Sequence, residues 1–183
     1  MTMQRQKPAA PRWLALLYLW CTAVMFSSNL DIPFASAHCD IPCKIYDPAI
    51  SLIAATTVVR LLDLLQEVGA PERLNEVAKI SRIVASKEEH ALIVKREVAT
   101  IWGDFFKAPQ FEKFPETDRL VHEIMQLAST CKQENDRSDG LRLVEKLNDF
   151  AKIFWAAKGF ETQLVVCPYP PELPTCQPIL KLA

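Results

Sequence analysis

The chain has 183 residues, half of them apolar, and a formal net charge of −1 at pH 7. This length and composition suffice for one domain with a substantial core, and the near-neutral charge argues against a nucleic-acid partner. The sequence also lacks a glycine-rich phosphate loop, a nucleophile elbow and a zinc-type pair of Cys-x-x-Cys motifs. These absences argue against a nucleotide enzyme or a conventional hydrolase.

Residues 1–37 are typical of a secretory signal peptide. Basic residues precede the apolar stretch 13–26, and Ala35 and Ala37 occupy small-residue cleavage positions. The apolar stretch is shorter than the ~20 residues of a membrane span, so no membrane contact is expected after cleavage by a signal-type peptidase. The N-terminus has no twin arginine, which favours the general secretory route to the periplasm, the exterior or an organelle lumen. The alternative is an uncleaved signal anchor.

Cleavage after Ala37 would give His38 a free amine, which an internal residue lacks. That amine, the backbone nitrogen of Cys39 and the Cys39 thiolate form two adjacent chelate rings. Pro42 helps to turn the chain so that Cys43 can supply a second thiolate, and the His38 imidazole can approach axially. Two nitrogens and two sulfurs in one plane suit Ni(II) or Cu(II), and thiolates stabilise a higher oxidation state. The segment therefore predicts a redox-active metal site.

Apolar residues at helical spacing predict two long helices after this segment. The first spans about residues 48–68 and ends at Gly69. Its predicted core face consists of Ile50, Ile53, Val58, Leu61, Leu62 and Leu65. The second starts near Pro71 and extends to about Phe105. Its predicted core face consists of Leu74, Val77, Ile80, Val84, Ala91, Val94, Val98 and Ile101.

Two further helices are predicted beyond a loop bounded by Pro109 and Pro115. Their apolar positions are Leu120, Ile124, Leu127 and Cys131 in the third helix, and Leu143, Leu147, Phe150 and Phe154 in the fourth. Four apolar faces with short connections and no convincing strand predict an all-α fold, an antiparallel up-and-down four-helix bundle with an N-terminal metal-binding hook. The predicted organisation is a cleaved signal peptide (1–37), the hook (38–48), the bundle (49–158) and a Pro- and Cys-containing tail (159–183).

The hook resembles that of the nickel-containing superoxide dismutases, whose mature chains start His-Cys-Asp-x-Pro-Cys-x-x-Tyr-Asp-Pro. Segments 102–107, 111–116 and 152–155 are also similar to that family and follow in the same order. The resemblance covers about residues 38–158. It implies superoxide as the substrate, disproportionated to dioxygen and hydrogen peroxide, one nickel ion per subunit that alternates between Ni(III) and Ni(II), and a homohexamer.

The resemblance also implies roles for individual residues. The equatorial ligands are expected from His38, Cys39 and Cys43, with the His38 imidazole as the axial ligand. Tyr46 matches a tyrosine that lies over the open face of the metal and helps to admit a small anion. Asp40 matches an aspartate that is expected to hold the hook loop.

Three positions depart from the family pattern. Ala54 and His90 stand where the best-known members have a glutamate and an arginine that bracket the axial imidazole. His90 is a candidate replacement contact for the hook, and a solvated surface histidine is the alternative. Lys44 replaces a glycine, so either the turn does not need a positive φ there or Lys44 is strained. His122 has no partner at ligand spacing and is expected to be exposed.

Two alternative functions share the same sequence features. One is a nickel- or copper-binding protein without turnover, such as a metal carrier, which the departures at Ala54 and His90 would favour. The other is a secreted helical interaction protein in which Cys39 and Cys43 form a disulfide. Of the remaining cysteines, Cys131 is expected to be a buried thiol. Cys167 and Cys176 are expected to close a small disulfide loop in an oxidising compartment.

Overall fold

The computed structural model describes residues 44–180. In chain order the elements are α1 (Ala49–Val68), α2 (Leu74–Thr100), a π-helical turn (Ile101–Phe105), α3 (Ala108–Lys113), α4 (Thr117–Gln133), α5 (Arg137–Ala157), β1 (Thr162–Val166) and β2 (Pro174–Pro178). The fold is therefore mostly helical with a small two-stranded sheet. The four predicted helices are confirmed as α1, α2, α4 and α5. The expectation that the chain has no strand is wrong.

The long helices enclose one apolar core. Helix α1 packs against α2 and α5, and α4 packs against the same two helices. The largest completely buried apolar side chains are Phe106, Phe150, Phe154, Leu62, Ile124, Leu143, Leu147, Val58, Val59, Val94 and Val98. Burial of each such side chain stabilises the fold by about 1.5–3 kcal/mol before the entropy cost of ordering it.

The predicted core face of α1 is partly wrong. Ile50 and Ile53 are 54% and 55% exposed, whereas Leu52 and Val59 are buried. Because α1 is apolar around most of its circumference, periodicity alone does not choose a face. Close packing against α5 chooses it: a Cβ added at Gly140 would come within 3.0 Å of side-chain atoms of Val59 and Leu62.

The predicted face of α2 holds only for its second half. Leu74 and Val77 are 82% and 46% exposed, whereas the later predicted positions Ala91, Val94, Val98 and Ile101 are buried. The described part of the chain therefore leaves the first apolar side chains of α2 largely uncovered. The loop predicted between Pro109 and Pro115 is also partly wrong, since it contains α3. Pro109 is the second residue of that helix, where a missing N–H costs nothing.

A buried lysine joins α2 to the end of α4. The side chain of Lys87 is only 1% exposed. Its ammonium donates to the carbonyl oxygens of Lys132 (3.3 Å) and Glu134 (2.6 Å) and to Asn135 Oδ1 (2.9 Å). These acceptors lie at the C-terminus of α4, where carbonyls lack helical partners and the helix dipole favours a cation. Burial nevertheless lowers the pKa of Lys87, because the charged form loses hydration.

The C-terminal segment forms a hairpin that docks on α5. Strands β1 and β2 are antiparallel, with Leu164 opposite Cys176 and Val166 opposite Pro174. Asn148 of α5 holds β2 through two bonds: its Nδ2 donates to Pro174 O (2.9 Å), and its Oδ1 accepts from the Cys176 N–H (2.7 Å). The tail is therefore an ordered part of the fold.

The expected disulfide between Cys167 and Cys176 is wrong, because both thiols are free and buried. Cys167 N donates to Leu173 O, so Cys167 lies opposite Leu173 in the ladder. Cys176 is three positions further along, which is about 10 Å, and the odd offset places the two side chains on opposite faces. A disulfide needs Cα atoms within about 7 Å of each other.

Candidate metal centre

The predicted ligands of the hook lie outside the described part of the chain. His38, Cys39 and Cys43 precede Lys44, the first described residue, as does Asp40. Their roles therefore stay predictions. Within residues 44–180, no group of three or more His, Cys, Asp or Glu side chains is arranged to hold a metal ion.

The chain enters α1 through a fixed turn. Lys44 has a φ of +60°, in the left-handed region that glycine adopts at least cost. The turn therefore needs a positive φ, and Lys44 adopts it with strain because it has a Cβ atom. Asp47 Oδ1 accepts from Ala49 N (2.8 Å), and Pro48 O accepts from Ser51 Oγ (2.7 Å). These bonds hold the first turn of α1, to which the hook is attached.

Tyr46 lies at the base of the hook and contacts the helical core. Its side chain is half-buried, and its ring centroid is 6.2 Å from that of Phe105 at an interplanar angle of 57°. The backbone oxygen of Tyr46 accepts a hydrogen bond from Lys158 Nζ (3.3 Å). Tyr46 is therefore held from both its ring and its backbone, which limits the freedom of the hook where it joins the helices.

Lys158 was not identified as a site residue from the sequence. Its ammonium lies 4.8 Å from the ring centroid of Phe154, 5.6 Å from Trp155 and 5.7 Å from Phe105. Cation–π attraction of this kind, together with the bond to Tyr46, holds a positive charge beside Tyr46. The available signal was a lysine three residues after an aromatic pair at the end of a helix, which is too common a pattern to indicate a site.

The three later segments that resemble the family meet in one aromatic cluster. Phe105 and Phe106 come from the first segment, Phe111 from the second, and Phe154 and Trp155 from the third. Centroid separations are 5.2 Å for Phe105–Phe106, 4.8 Å for Phe105–Phe154, 5.7 Å for Phe106–Phe111 and 5.0 Å for Phe154–Trp155. This aromatic cluster forms the surface on which Tyr46 rests.

The π-helical turn brings Phe105 into the aromatic cluster. Phe106 N donates to Ile101 O across five residues (3.4 Å), a geometry that is rare in helices and frequent at functional sites. Trp102 Nε1 donates to Asp118 Oδ1 (2.8 Å), and Lys107 Nζ donates to Gly103 O (3.0 Å). These bonds hold the turn in place from both of its ends.

Two of the three positions that depart from the family pattern, Ala54 and His90, lie on α1 and α2. Ala54 is buried, at 3% exposure, and offers no polar group. His90 is half-buried, and its Nδ1 is 2.8 Å from Ser86 O. Because that carbonyl can only accept, Nδ1 is the donor in this contact, and the bond does not use Nε2. His122 is exposed, as expected.

A family model described as nickel-containing superoxide dismutase matches residues 33–158. The chain belongs to this family. The match runs from the residues before the hook to the lysine that contacts Tyr46. The hairpin lies beyond the matched residues.

Individual relatives agree with this assignment. The protein named superoxide dismutase [Ni] from Streptomyces coelicolor (strain ATCC BAA-471 / A3(2) / M145) is 34% identical over 123 residues, which cover 67% of this chain and 89% of that protein. The protein of the same name from Streptomyces seoulensis gives the same values. A solved native structure of nickel superoxide dismutase matches with a TM-score of 0.59 at 32% identity, covering 66% of this chain and 99% of that one.

Proposed function

We propose that this chain is a nickel-dependent superoxide dismutase: two superoxide anions and two protons give dioxygen and hydrogen peroxide. The observation that carries the proposal is the family match over residues 33–158, which spans the hook segment and all four long helices. The arrangement of Tyr46, Lys158 and the aromatic cluster supports it, because the base of the hook is held at one defined place on the helical core.

The donor set at the start of the hook fits nickel. His38 would provide an amine and an imidazole, Cys39 an amide nitrogen and a thiolate, and Cys43 a second thiolate. Nickel in this set supplies one-electron chemistry by alternating between Ni(III) and Ni(II), which anionic sulfur and nitrogen donors bring within reach. The chain's part would be to bring these donor groups together, and they would release their protons when the metal binds.

The residues around the hook have separate tasks in this proposal. Tyr46 shields the face by which a small anion approaches, and Asp40 holds the hook loop. Lys158 places a positive charge at the base of the hook, which favours the approach of superoxide. His90 is a candidate contact for the His38 imidazole through Nε2, whereas Ala54, at the other departing position, offers no polar group.

The finer organisation belongs to the same proposal. Residues 1–37 are removed by a signal-type peptidase after export, which frees the amine of His38. Residues 38–48 form the hook, and residues 49–158 form an antiparallel up-and-down four-helix bundle, which the packing of α1 and α4 against both α2 and α5 supports. The bundles assemble as a homohexamer, so that neighbouring subunits help to order the hooks.

The experiment that tests the proposal combines three measurements on protein purified from cells supplied with nickel. Intact mass and N-terminal sequencing identify the first residue, elemental analysis counts nickel per subunit, and pulse radiolysis measures superoxide decay. We expect a chain that starts at His38, holds about one nickel and accelerates superoxide decay. Nickel without turnover would instead indicate a carrier, and a Cys39–Cys43 disulfide without metal would indicate a structural protein.

Matched cysteine variants test whether nickel binding and superoxide turnover depend on the hook. Cys39→Ser and Cys43→Ser should each lose nickel and superoxide turnover, because a hydroxyl is a much poorer ligand for this metal than a thiolate. Cys167→Ser serves as the control, since this thiol lies in the hairpin beside Thr175. Equal nickel content in all three variants would contradict the assigned ligands.

A further inference from the structure

The two edges of the C-terminal hairpin differ. Ile179 N donates to Glu161 O and Cys167 N donates to Leu173 O. The odd-numbered residues of each strand therefore direct their backbone N–H and C=O groups toward the other strand. In an antiparallel ladder the intervening residues then direct their N–H and C=O groups outward. The outward groups of β2 therefore belong to Pro174, Cys176 and Pro178, and those of β1 belong to Thr162, Leu164 and Val166.

The edge of β2 is closed. Pro174 and Pro178 have no N–H to donate, and the Cys176 N–H is bonded to Asn148 Oδ1 (2.7 Å). Asn148 Nδ2 also occupies the Pro174 carbonyl (2.9 Å). Prolines and a covering helix are among the means by which native proteins prevent a strand edge from pairing with another chain.

The edge of β1 has none of these protections. Among the described residues, no group bonds to the outward backbone of Thr162, Leu164 or Val166. Leu164 is 54% exposed and Val166 is 60% exposed, and the strand Thr-Gln-Leu-Val-Val carries neither a charge nor a proline. An uncharged, apolar, unpaired edge is the kind of surface that accepts a further strand.

The spacing of the outward groups makes this edge complementary to itself. If two copies pair antiparallel about Leu164, then Leu164 lies opposite its counterpart and Thr162 lies opposite Val166 of the other copy. Every outward N–H and C=O of the two strands then finds a partner. Glu161 lies opposite Cys167 of the other copy, so no like charges oppose each other.

We propose that the outer edge of β1 pairs with the same edge of a second copy of this chain, forming a four-stranded sheet centred on Leu164. The contact lies outside the residues matched by the family model and is independent of nickel. It adds to the assembly of the helical part rather than replacing it.

Two substitutions at one position test the backbone pairing. Leu164→Pro and Leu164→Ala both remove the exposed side chain, but only proline removes the outward N–H, and the ladder to β2 does not use that N–H. We expect sedimentation velocity over a range of concentrations to show an association that Leu164→Pro weakens about ten- to a hundredfold, because each copy loses one hydrogen bond. Leu164→Ala should weaken it less. Equal masses for the wild type and Leu164→Pro, or equal losses in both variants, would overturn the proposal.

Cross-linking tests the register separately. In a hydrogen-bonded pair the two Cα atoms are about 5.5 Å apart, within reach of a disulfide. Leu164→Cys should therefore form a covalent dimer on mild oxidation, whereas Gln163→Cys should not, since Gln163 lies opposite Val165 of the other copy. Circular dichroism and superoxide turnover per subunit should match the wild type in both variants. Cross-linking of both variants alike would refute the register.

Hydrogen exchange distinguishes a second copy from another occupant. The Leu164 and Val166 amides should be protected in concentrated wild-type protein, and they should exchange rapidly on dilution. Protection that does not depend on concentration would mean that another segment of the same chain covers the edge, and the proposal would be wrong.

Discussion

At the scale of single residues, the position of Tyr46 depends on the ammonium group of Lys158. Lys158 contacts three aromatic rings and the backbone oxygen of Tyr46 at the same time. A lysine side chain combines an apolar stem with a charged head, so its charge and its packing can be separated by substitution. Lys152, earlier on the same helix, offers a comparison, since it is exposed and its only ion pair within residues 44–180 is with Asp149 (3.1 Å).

We expect Lys158→Met to lower the kcat/KM for superoxide about two- to tenfold, while nickel content stays near one per subunit. Methionine keeps most of the packing but removes the positive charge that favours an approaching anion. The loss should shrink as ionic strength rises, because salt screens the charge in the wild type. Lys158→Arg should retain most of the activity, and Lys152→Met is the control. The same loss in Lys158→Met and Lys152→Met would show that the position of the charge is unimportant.

At the scale of elements, one side chain connects the hairpin to the helices. Asn148 is 7% exposed and makes both of its bonds to outward backbone groups of β2. The hairpin also places Cys176 in the main core, and Trp155 contacts Phe160 at the start of the tail with a centroid separation of 5.9 Å. Among residues 44–180, the only hydrogen bonds between α5 and β2 are the two that Asn148 makes.

We expect Asn148→Ala to destabilise the hairpin by about 2–3 kcal/mol, because a buried N–H and a buried C=O lose their partners. The helices should remain folded, so the first effect should be faster proteolysis within residues 159–180 and faster exchange of the Cys176 amide. Asn75→Ala is a matched control at an exposed position on α2. Unchanged proteolysis in Asn148→Ala would show that apolar contacts alone hold the hairpin.

Much of the helical part could be predicted from the sequence, and the reasons for the errors are physical. Helices α1, α2, α4 and α5 follow directly from apolar spacing. The exposed Ile50 and Ile53 were misplaced because α1 is apolar on nearly every side, and the close approach of Gly140 decides which side is buried. The hairpin was missed because its strands are short, because β2 begins and ends with proline, and because a residue of α5 stabilises it.

For the candidate site, the sequence predicted the metal ligands but not the residues that the fold brings near Tyr46. The ligand set His38, Cys39 and Cys43 follows from the chemistry of a free amine and two thiolates, and stays a prediction. Lys158 could not be predicted, since its role depends on the convergence of Phe105, Phe154 and Trp155 from two separate segments. Such convergence is a property of the folded core and has no local signal in the chain.

At the scale of the whole molecule, the core that Tyr46 contacts also keeps a thiol protonated. Cys131 is 1% exposed, and burial, reinforced by the nearby Asp139 carboxylate, raises its pKa from 9.0 to about 11. The positive charge of Lys87 lowers the pKa of this thiol, but by less than burial raises it. Any opening of the junction between α2, α4 and α5 would let the thiol ionise.

The sign of the resulting pH dependence follows from the raised pKa. Below pH 9 the thiol is protonated in both the folded and the unfolded chain, and its contribution to folding stability is fully present. Between pH 9 and about 11 the unfolded chain releases the proton while the folded chain retains it, so this contribution to stability falls as pH rises. Lys87, whose pKa is lowered by burial, contributes a slope of the opposite sign over the alkaline range.

Comparing the wild type with Cys131→Ala isolates the thiol, because Lys87 is present in both. We expect the difference in unfolding free energy between them, measured by urea denaturation, to shift by about 2–3 kcal/mol in favour of the alanine variant between pH 8 and pH 11. At pH 8 the variant should be slightly less stable, since it loses a buried sulfur. A difference that stays constant over this range would mean that Cys131 ionises as readily in the folded chain as in the unfolded one. The helices would then be opening around this thiol without global unfolding, and the core could not be the rigid support that a fixed hook requires.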